Sequence, residues 1–208
     1  MSMIKDKEFV VFDVETTGLS PMNGDRVVEI AALKIRDFKV VDEFHSLVNP
    51  GREISYDAFL VNGISQKMVQ DAPMASTVMP AFCGFIEGTC LVGHNVKFDL
   101  GFLTNELLLL GLKLHPRTVA LDTVKMARVL IPGLNSYSLA SVSYSLGITQ
   151  IQRHRAMSDV QMTWEVFERL RQNAERKALS DWKTWMELFT HQHYPSRRYV
   201  PQQPSQNS

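Results

Sequence analysis

The sequence has few cysteines, no long apolar run and no net charge, and each absence narrows the class of protein. Its only cysteines are Cys83 and Cys90. Two thiols cannot form a four-ligand structural zinc site, and both lie in apolar surroundings, so we expect them to be core side chains. The most apolar stretch, residues 106–114, is too short and too interrupted to span a membrane. We therefore do not expect a membrane protein.

The start of the chain lacks the pattern of a secretory signal. Residues 1–11 carry charged side chains where the apolar region of a signal peptide would begin, and they lead directly into a strand pattern. We therefore expect a cytoplasmic protein.

The formal charge is zero, because 22 basic residues balance 22 acidic ones. Proteins that bind nucleic acids usually have a basic surface, so the composition does not by itself indicate such a partner. It does not exclude one either, because bound divalent cations would supply positive charge that a count of side chains omits.

The order of the apolar patterns predicts an α/β fold. Three strand-like segments come first, and the short turns between them favour an antiparallel arrangement. Helix and strand patterns then alternate, which predicts a mixed sheet covered by helices. The predicted strands are residues 8–16, 26–37 and 39–50, a short strand before residue 96, and the first part of 118–130. The predicted helices are 74–88, 96–112, the second part of 118–130, 136–148 and 155–172, with short helical turns in 55–73.

Three segments of different character follow one another along the chain. Residues 1–172 are predicted to form the main domain, and a further C-terminal helix is expected within 173–193. Residues 194–208 are rich in Pro, Gln and Ser and are expected to be disordered. Pro80 lies within a helical pattern, which it must either begin or bend.

The first strand, in the stretch "EFVVFDVETTG", ends in two acidic residues. Side chains alternate along a strand, so Asp13 and Glu15 share one face with Phe9 and Val11. Two neighbouring carboxylates repel each other, and burying them is costly. A shared proton, a basic residue or a metal ion could neutralise them, and this stretch alone does not distinguish the three.

Two further acids, Asp99 and Asp159, each lie in the first turn of a predicted helix whose other positions are largely apolar. A favourable interaction with the helix dipole is one explanation for an acid in that turn. His154 precedes Asp159 by five positions, which do not share a helix face, so the two can act together only if His154 lies in the preceding loop. The alternative for His154 is an ordinary solvated loop side chain.

Taken together, four carboxylates and a histidine fit the chemistry of phosphodiester hydrolysis on two metal ions. Such ions lie roughly 3.5–4 Å apart and contact both the attacking and the leaving oxygen. Mg²⁺ and Mn²⁺ prefer oxygen ligands, whereas zinc would be expected with nitrogen or thiolate ligands. Histidine can accept a proton from the attacking water near neutral pH.

Three motifs resemble those of a known family. "FDVETTG", "HNVKFDLGFL" and "HRAMSD" resemble, in order, the three motifs of the DEDDh 3′–5′ exonucleases, and the similarity covers about residues 8–171. The spacing of His154 and Asp159 fits the histidine subtype. Within the family the sequence resembles the proofreading epsilon subunit of bacterial DNA polymerase III and its stand-alone relatives. The resemblance implies an RNase H-like fold.

The resemblance also implies roles for individual residues. Asp13, Glu15, Asp99 and Asp159 would bind two divalent cations, Mg²⁺ or Mn²⁺, and His154 would be the general base. The residues that would contact the substrate are Thr16, Thr17, Gly18, Leu19, Asn62, Phe98 and Phe102. Core packing is the alternative for the two phenylalanines.

Two further polar positions, Asn62 and Asp122, are not expected to bind the metal ions. Asn62 stands where many relatives carry a histidine, which leaves the substrate preference open. Asp122 precedes a helix and fits an N-cap better than a fifth metal ligand.

The function implied is removal of nucleotides from the 3′ end of DNA, with release of nucleoside 5′-monophosphates, in proofreading or repair. An RNA-trimming exonuclease and a non-catalytic interaction module are the alternatives. The partners implied are a nucleic acid with a free 3′ end, DNA being favoured, and a DNA polymerase subunit. The C-terminal helix could contact such a polymerase through its tryptophans, or it could pack on its own domain.

Overall fold

The computed structural model of the protein describes residues 3–149 and 155–191. The predicted disorder of 194–208 and the predicted position of His154 lie outside these ranges. The strands are β1 (Phe9–Thr16), β2 (Val27–Arg36), β3 (Lys39–Leu47), β4 (Cys90–Gly93) and β5 (Val119–Asp122). The α-helices are α1 (Tyr56–Asn62), α2 (Gln66–Val69), α3 (Ala75–Phe85), α4 (Lys97–Leu109), α5 (Thr123–Leu130), α6 (Leu139–Ser145), α7 (Ala156–Arg176) and α8 (Trp182–Phe189).

The five strands form one mixed sheet in the order β3-β2-β1-β4-β5. The first three strands are antiparallel neighbours, whereas β4 runs parallel to β1, and β5 runs parallel to β4. This arrangement confirms the predicted α/β class. It also places β1 in the centre, where its apolar residues are buried on both faces of the sheet.

The alternation of side chains along β1 divides the core into two layers. Phe9 and Val11 belong to a cluster with Val160 and Phe167 of α7, and the Phe9 and Phe167 ring centroids lie 5.2 Å apart. Val10 and its alternate neighbours face the opposite cluster, which includes residues of α3 and α4. Asp13 and Glu15 continue the alternation of Phe9 and Val11 along the strand, so they are directed to the face that α7 covers.

A buried ion pair attaches α4 to the beginning of β2. Glu106 is 1% exposed and accepts hydrogen bonds from Arg26 Nε at 2.8 Å and Nη2 at 2.7 Å. The Val27 amide also donates to Glu106, at 3.1 Å. Because bidentate Arg–carboxylate contacts restrict geometry as well as adding energy, this pair fixes how α4 lies against the sheet.

Several helix boundaries differ from the predicted ones because capping groups set them. The helix predicted at 136–148 is α6, which begins after Ser138, whose side chain accepts from the Ser141 amide. Asp122 caps α5 by accepting from the Val124 amide at 2.9 Å, as predicted. Pro80 lies inside α3, which begins five residues earlier at Ala75, so the alternative that Pro80 begins this helix was wrong.

The C-terminal helices pack on the sheet. Helix α7 ends at Arg176. It therefore extends four residues beyond residue 172, where the main domain was predicted to end. In α8, Trp185 and Phe189 are both fully buried, and Trp185 Nε1 donates to the Leu179 carbonyl oxygen at 2.7 Å. Of the two alternatives for this helix, packing on its own domain is therefore the observed one. The buried face of α8 is not available to a partner.

Two further expectations concern cysteines and membranes. Cys90 is buried and Cys83 is partly buried against the core, and both are free thiols. Within the described ranges, no helix is both long enough and apolar enough to cross a membrane.

Truncation of the buried α8 tryptophan tests how far this helix contributes to the fold. Trp185→Ala is expected to lower the free energy of unfolding by about 3–5 kcal/mol, because it removes a large core side chain. Leu188→Ala on the same helix is the control, since Leu188 is 40% exposed, and a change within about 0.5 kcal/mol is expected. Urea denaturation measures both. Equal small effects would show that α8 is not part of the folded core.

Candidate active site

Three of the predicted acids converge at the carboxyl end of β1. Asp13 and Glu15 project from the end of that strand, and Asp159 lies in the first turn of α7, which covers the same face. One carboxylate oxygen from each residue lies within 4.8 Å of the others. A single divalent cation could therefore contact all three.

The fourth predicted acid, Asp99, approaches the same strand from α4. It is 3% exposed, and its Oδ1 accepts a hydrogen bond from the Val14 amide at 3.1 Å. Val14 lies between Asp13 and Glu15 in the strand, so Asp99 lies directly beside the other acids. It is not part of the group within 4.8 Å. Because its carboxylate accepts a hydrogen bond from β1, Asp99 does more than interact with the α4 dipole.

Burial and mutual repulsion both favour the neutral forms of these acids. Desolvation, followed by the nearby charges of Asp99 and Glu15, raises the pKa of Asp13 well above its usual value. Desolvation, followed by the charge of Asp159, raises the pKa of Glu15 to about 8. Desolvation also raises the pKa of Asp99 to about 8, although the hydrogen bond from Val14 opposes the shift. The cluster is therefore an unfavourable place for negative charge unless a cation is bound.

The donor set fits a hard divalent cation. Within the part of the chain that the structure describes, the only group of possible metal ligands consists of carboxylates, without histidine or cysteine. Oxygen ligands suit Mg²⁺ and Mn²⁺ better than zinc. Of the three neutralising agents that the sequence left open, a metal ion fits this geometry.

Sequence reasoning missed a further acid, Glu29 on β2. Its Cα is paired with that of Glu15 across the β1–β2 ladder, and it is 1% exposed. Arg155 Nη2 donates to Glu29 at 2.9 Å, and His45 Nε2 lies 2.8 Å from the same oxygen. Burial alone would raise the pKa of Glu29, but the hydrogen bonds from Arg155, His45 and the Ala156 amide outweigh it and lower the pKa. Glu29 is therefore an ionised side chain beside the cluster.

The signal that could have found Glu29 is the one that drew attention to Asp13. An acid interrupts an otherwise apolar strand in "RVVEIAAL". His154, which directly precedes Arg155, lies outside the described residues, so its role as a base stays a prediction.

The end of β1 and the turn that follows it contain the predicted substrate-contacting residues Thr16, Thr17, Gly18 and Leu19. Thr16 and Thr17 are buried, whereas Leu19 is 86% exposed. A Cβ on Gly18 would lie only 2.6 Å from the Asp25 carboxylate carbon, so a larger residue here would have to displace the Asp25 side chain. The Asp25 carboxylate accepts from the Ser20 amide at 3.1 Å. The turn is thus well fixed and presents Leu19 to solvent.

Asn62, another predicted substrate contact, is hydrogen-bonded to the backbone at the start of this turn. It is 4% exposed, and its Nδ2 donates to the Thr16 carbonyl oxygen at 3.1 Å while its Oδ1 accepts from the Ile64 amide at 3.0 Å. At the other end of α1, Ser55 Oγ donates to the Thr17 carbonyl oxygen at 3.2 Å. Helix α1 is therefore attached at both ends to the strand that carries Asp13 and Glu15.

The two predicted phenylalanines differ in exposure. Phe102 is 1% exposed and belongs to the core cluster, which fits the core-packing alternative. Phe98 is partly exposed, and its ring centroid lies 4.9 Å from that of Phe102. Only Phe98 therefore presents part of a ring to solvent near Asp99.

Comparison with known proteins extends this description. The model of the exonuclease family matches residues 10–167. A DNA polymerase III PolC-type protein from Caldanaerobacter subterraneus subsp. tengcongensis is 41% identical over 160 residues, which cover 77% of this chain and 11% of that protein. A DNA polymerase III subunit epsilon-like protein from Rhodobacter capsulatus is 43% identical over 166 residues, 78% of this chain and 23% of that protein. The 3′-5′ exonuclease DinG of Bacillus subtilis is 38% identical over 170 residues, 80% of this chain and 18% of that protein.

Solved structures show the same fold. Exonuclease X in complex with 5′ overhanging duplex DNA has a TM-score of 0.67 and 26% identity, with coverage of 86% of this chain and 98% of that one. E. coli Exonuclease I in complex with a dT13 oligonucleotide has a TM-score of 0.73 and 20% identity, with coverage of 83% and 42%. These similarities confirm the RNase H-like fold that the sequence motifs implied.

The chain spans only 11% to 23% of the length of the three sequence relatives above. What it shares with them is thus one domain of larger proteins. The family model covers residues 10–167, a range that includes all four of the acids. Because this range is more than half of the chain, the chain belongs to the exonuclease family.

Proposed function

We propose that the protein is a metal-dependent 3′–5′ exonuclease that removes nucleotides from the 3′ end of DNA in replication proofreading or repair. The observation that carries this proposal is the convergence of Asp13, Glu15 and Asp159 within 4.8 Å in a member of the exonuclease family. A cluster of acids whose pKa values are raised by burial is costly to maintain without a function.

The direction of digestion and the choice of DNA are supported by the names of similar proteins. One relative is a 3′-5′ exonuclease, and two others are DNA polymerase III proteins. Exonuclease X, the solved structure at 26% identity, was determined with duplex DNA. A polymerase subunit is the partner that these names favour.

In the proposed mechanism, Asp13, Glu15, Asp99 and Asp159 would hold two divalent cations, Mg²⁺ or Mn²⁺. The cations would supply the positive charge that activates the attacking water and stabilises the leaving 3′ oxygen. Asp13 would be a ligand of both ions, one shared with Asp159 and the other with Glu15, since the carboxylate oxygens of all three lie within 4.8 Å of one another. His154 would accept the proton of the attacking water. The product would be a nucleoside 5′-monophosphate.

The turn after β1 would orient the terminal nucleotide. Leu19 is exposed at the end of the turn, and the carbonyl groups of Thr16 and Thr17 are held by Asn62 and Ser55. Phe98 offers a partly exposed aromatic ring next to Asp99. Together these groups would fix the scissile phosphate against the acids, which is how positioning accelerates such reactions.

RNA trimming by the same residues is the second candidate function. A protein distinguishes RNA from DNA by contacting the 2′-hydroxyl, so the presence or absence of such a contact decides between an RNA and a DNA substrate. The duplex DNA bound by Exonuclease X favours DNA. A non-catalytic interaction module is disfavoured, because such a module has no use for four neighbouring acids at a strand end.

Loss of one shared ligand tests the reaction. Asp13→Asn is expected to abolish Mn²⁺-dependent shortening of a 5′-labelled DNA strand, because the substitution removes the charge common to both proposed ions. His154→Ala is expected to lower kcat by about 10²–10⁴-fold with a small change in KM, as for the loss of a general base. Gel analysis of single-stranded DNA, 3′-mismatched duplex and matching RNA measures the rates.

Asp71→Asn is the matched control, since Asp71 is exposed on a loop, and wild-type rates are expected. Faster shortening of RNA than of DNA would replace the DNA assignment with the RNA one. Wild-type turnover by Asp13→Asn would show that the acids of β1 are not the catalytic centre.

The raised pKa values predict how stability depends on pH when EDTA removes metal. The pKa of Glu15 rises from 4.5 to about 8, and that of Asp99 rises from 3.8 to about 8. The folded state therefore binds more protons than the unfolded state between about pH 4 and 8, so the free energy of unfolding falls as the pH rises through that range. The limiting slope is about 1.4 kcal/mol per pH unit for each carboxyl group.

Mn²⁺ is expected to reduce this fall, because it binds the ionised acids of the folded state alone. Urea denaturation at pH 5, 6, 7 and 8, with EDTA or with Mn²⁺, measures the effect. Asp13→Asn should flatten the pH dependence in EDTA and weaken the response to Mn²⁺. A stability that rises from pH 5 to 8 in EDTA would contradict the proposed repulsion among the acids.

A further inference from the structure

We propose that Glu29 and Arg155 are positioning residues that hold Asp159 at ligating distance from Asp13 and Glu15. The proposal rests on the proposed function, since it assigns how that site is assembled. Neither residue belongs to the group of acids that could contact the metal.

The Glu29 carboxylate accepts hydrogen bonds from two distant parts of the chain, strand β3 and the beginning of α7. Its Oε1 accepts from Arg155 Nη2 at 2.9 Å and from His45 Nε2 at 2.8 Å. Its Oε2 accepts from Arg155 Nε at 3.2 Å and from the Ala156 amide at 3.0 Å. One buried side chain thereby joins β2, β3 and the beginning of α7.

These contacts leave Glu29 unsuited to bind a metal itself. Each of its oxygens already receives at least two donors, and a carboxylate has about four acceptor sites in all. A cation would have to displace the Arg155 guanidinium or the Ala156 amide. The contribution of Glu29 to the site is therefore the geometry it imposes.

Glu29 also replaces the missing N-cap of α7. The residue at the N-cap position is Arg155, whose side chain makes no capping hydrogen bond, so the first amides of the helix need another acceptor. Glu29 accepts from the Ala156 amide, and a carboxylate there also interacts favourably with the helix dipole. Asp159 follows Ala156 by three residues, within the same first turn, so fixing the beginning of α7 fixes Asp159.

The register of the sheet completes the connection. Glu29 is paired with Glu15 across the β1–β2 ladder, so the residue that anchors α7 stands opposite a proposed ligand on β1. A shift of α7 along its axis would have to break the bidentate contact with Arg155 first. The distance between Asp159 and the β1 acids is thus set through Glu29 and Arg155.

A purely stabilising ion pair is the competing explanation. It is a weak one, because buried ion pairs often contribute little net stability compared with apolar packing. Glu29 also joins β2, β3 and the beginning of α7 at the place from which Asp159 projects, which fits a geometric role better than a stabilising one.

The test compares Glu29→Gln and Arg155→Lys with wild type in two assays. The first is the Mn²⁺ concentration that produces half of the maximal rise in melting temperature, and the second is kcat and KM on a 5′-labelled DNA strand. We expect Glu29→Gln to raise the Mn²⁺ midpoint at least about tenfold, a typical effect for a residue that orients metal ligands. We expect kcat to fall by a similar factor, with KM changed less than threefold, and Arg155→Lys to act in the same direction.

Two control variants separate positioning from stability and from charge. Val166→Ala removes a fully buried side chain of α7, two turns after Asp159, and is expected to lower the melting temperature in EDTA without changing the Mn²⁺ midpoint. Glu8→Gln removes the partner of Arg36 in an exposed pair at the opposite end of β1, and is expected to change neither.

Each outcome of the comparison decides the proposal. It is overturned if Glu29→Gln and Arg155→Lys lower the melting temperature as Val166→Ala does but keep the wild-type Mn²⁺ midpoint. It is also overturned if Mn²⁺ does not stabilise the wild type, because there is then no ligand site to position. If Mn²⁺ stabilises the wild type but no nucleic acid is shortened, the proposed function fails while the midpoints still test positioning. If Glu29→Gln does not fold, the midpoint of Arg155→Lys decides.

Discussion

Repulsion between the carboxylates gathered at the end of β1 is the constraint around which the rest of the structure is arranged. Asp13, Glu15, Asp99 and Asp159 come from three different elements, and burial raises the pKa of the first three. A folded chain can keep such groups together only if apolar packing elsewhere supplies the stability that they cost. The two core layers on either side of β1 supply it, and a bound cation would convert the same repulsion into attraction.

Strand β2 connects the elements that carry the acids. At its first residue, Glu106 of α4 binds Arg26 and the Val27 amide, so the helix that bears Asp99 is fixed to the sheet. Two residues further on, Glu29 binds Arg155 and the beginning of α7, the helix that bears Asp159. Since β2 is also the antiparallel neighbour of β1, one strand relates all four acids to one another. Buried polar networks of this kind specify a unique arrangement more than they add stability.

Much of the fold could be predicted from the sequence, because apolar periodicity and capping residues are local signals. Strand alternation placed Asp13 and Glu15 on one face, and the structure shows α7 covering that face. Contacts between distant segments left no local signal: nothing in residues 26–37 indicates that Glu29 would meet Arg155, 126 positions later. The apolar face of α8 was visible in the sequence, but whether Trp185 packs on its own domain or on a partner depends on tertiary packing. The roles of Asp99 and Asp159 came from the family resemblance, since a helix dipole explains an acid in a first turn equally well.

An anomalous-difference map from crystals grown with Mn²⁺ tests whether the acids at the end of β1 form a divalent-metal site. If they do, a peak is expected about 2 Å from a carboxylate oxygen of Asp13, with Glu15 or Asp159 also in contact. A second peak within roughly 4 Å of the first would support the two-ion mechanism. Ordered carboxylates without any Mn²⁺ peak beside Asp13, at a saturating concentration of the ion, would show that these acids do not form a divalent-metal site.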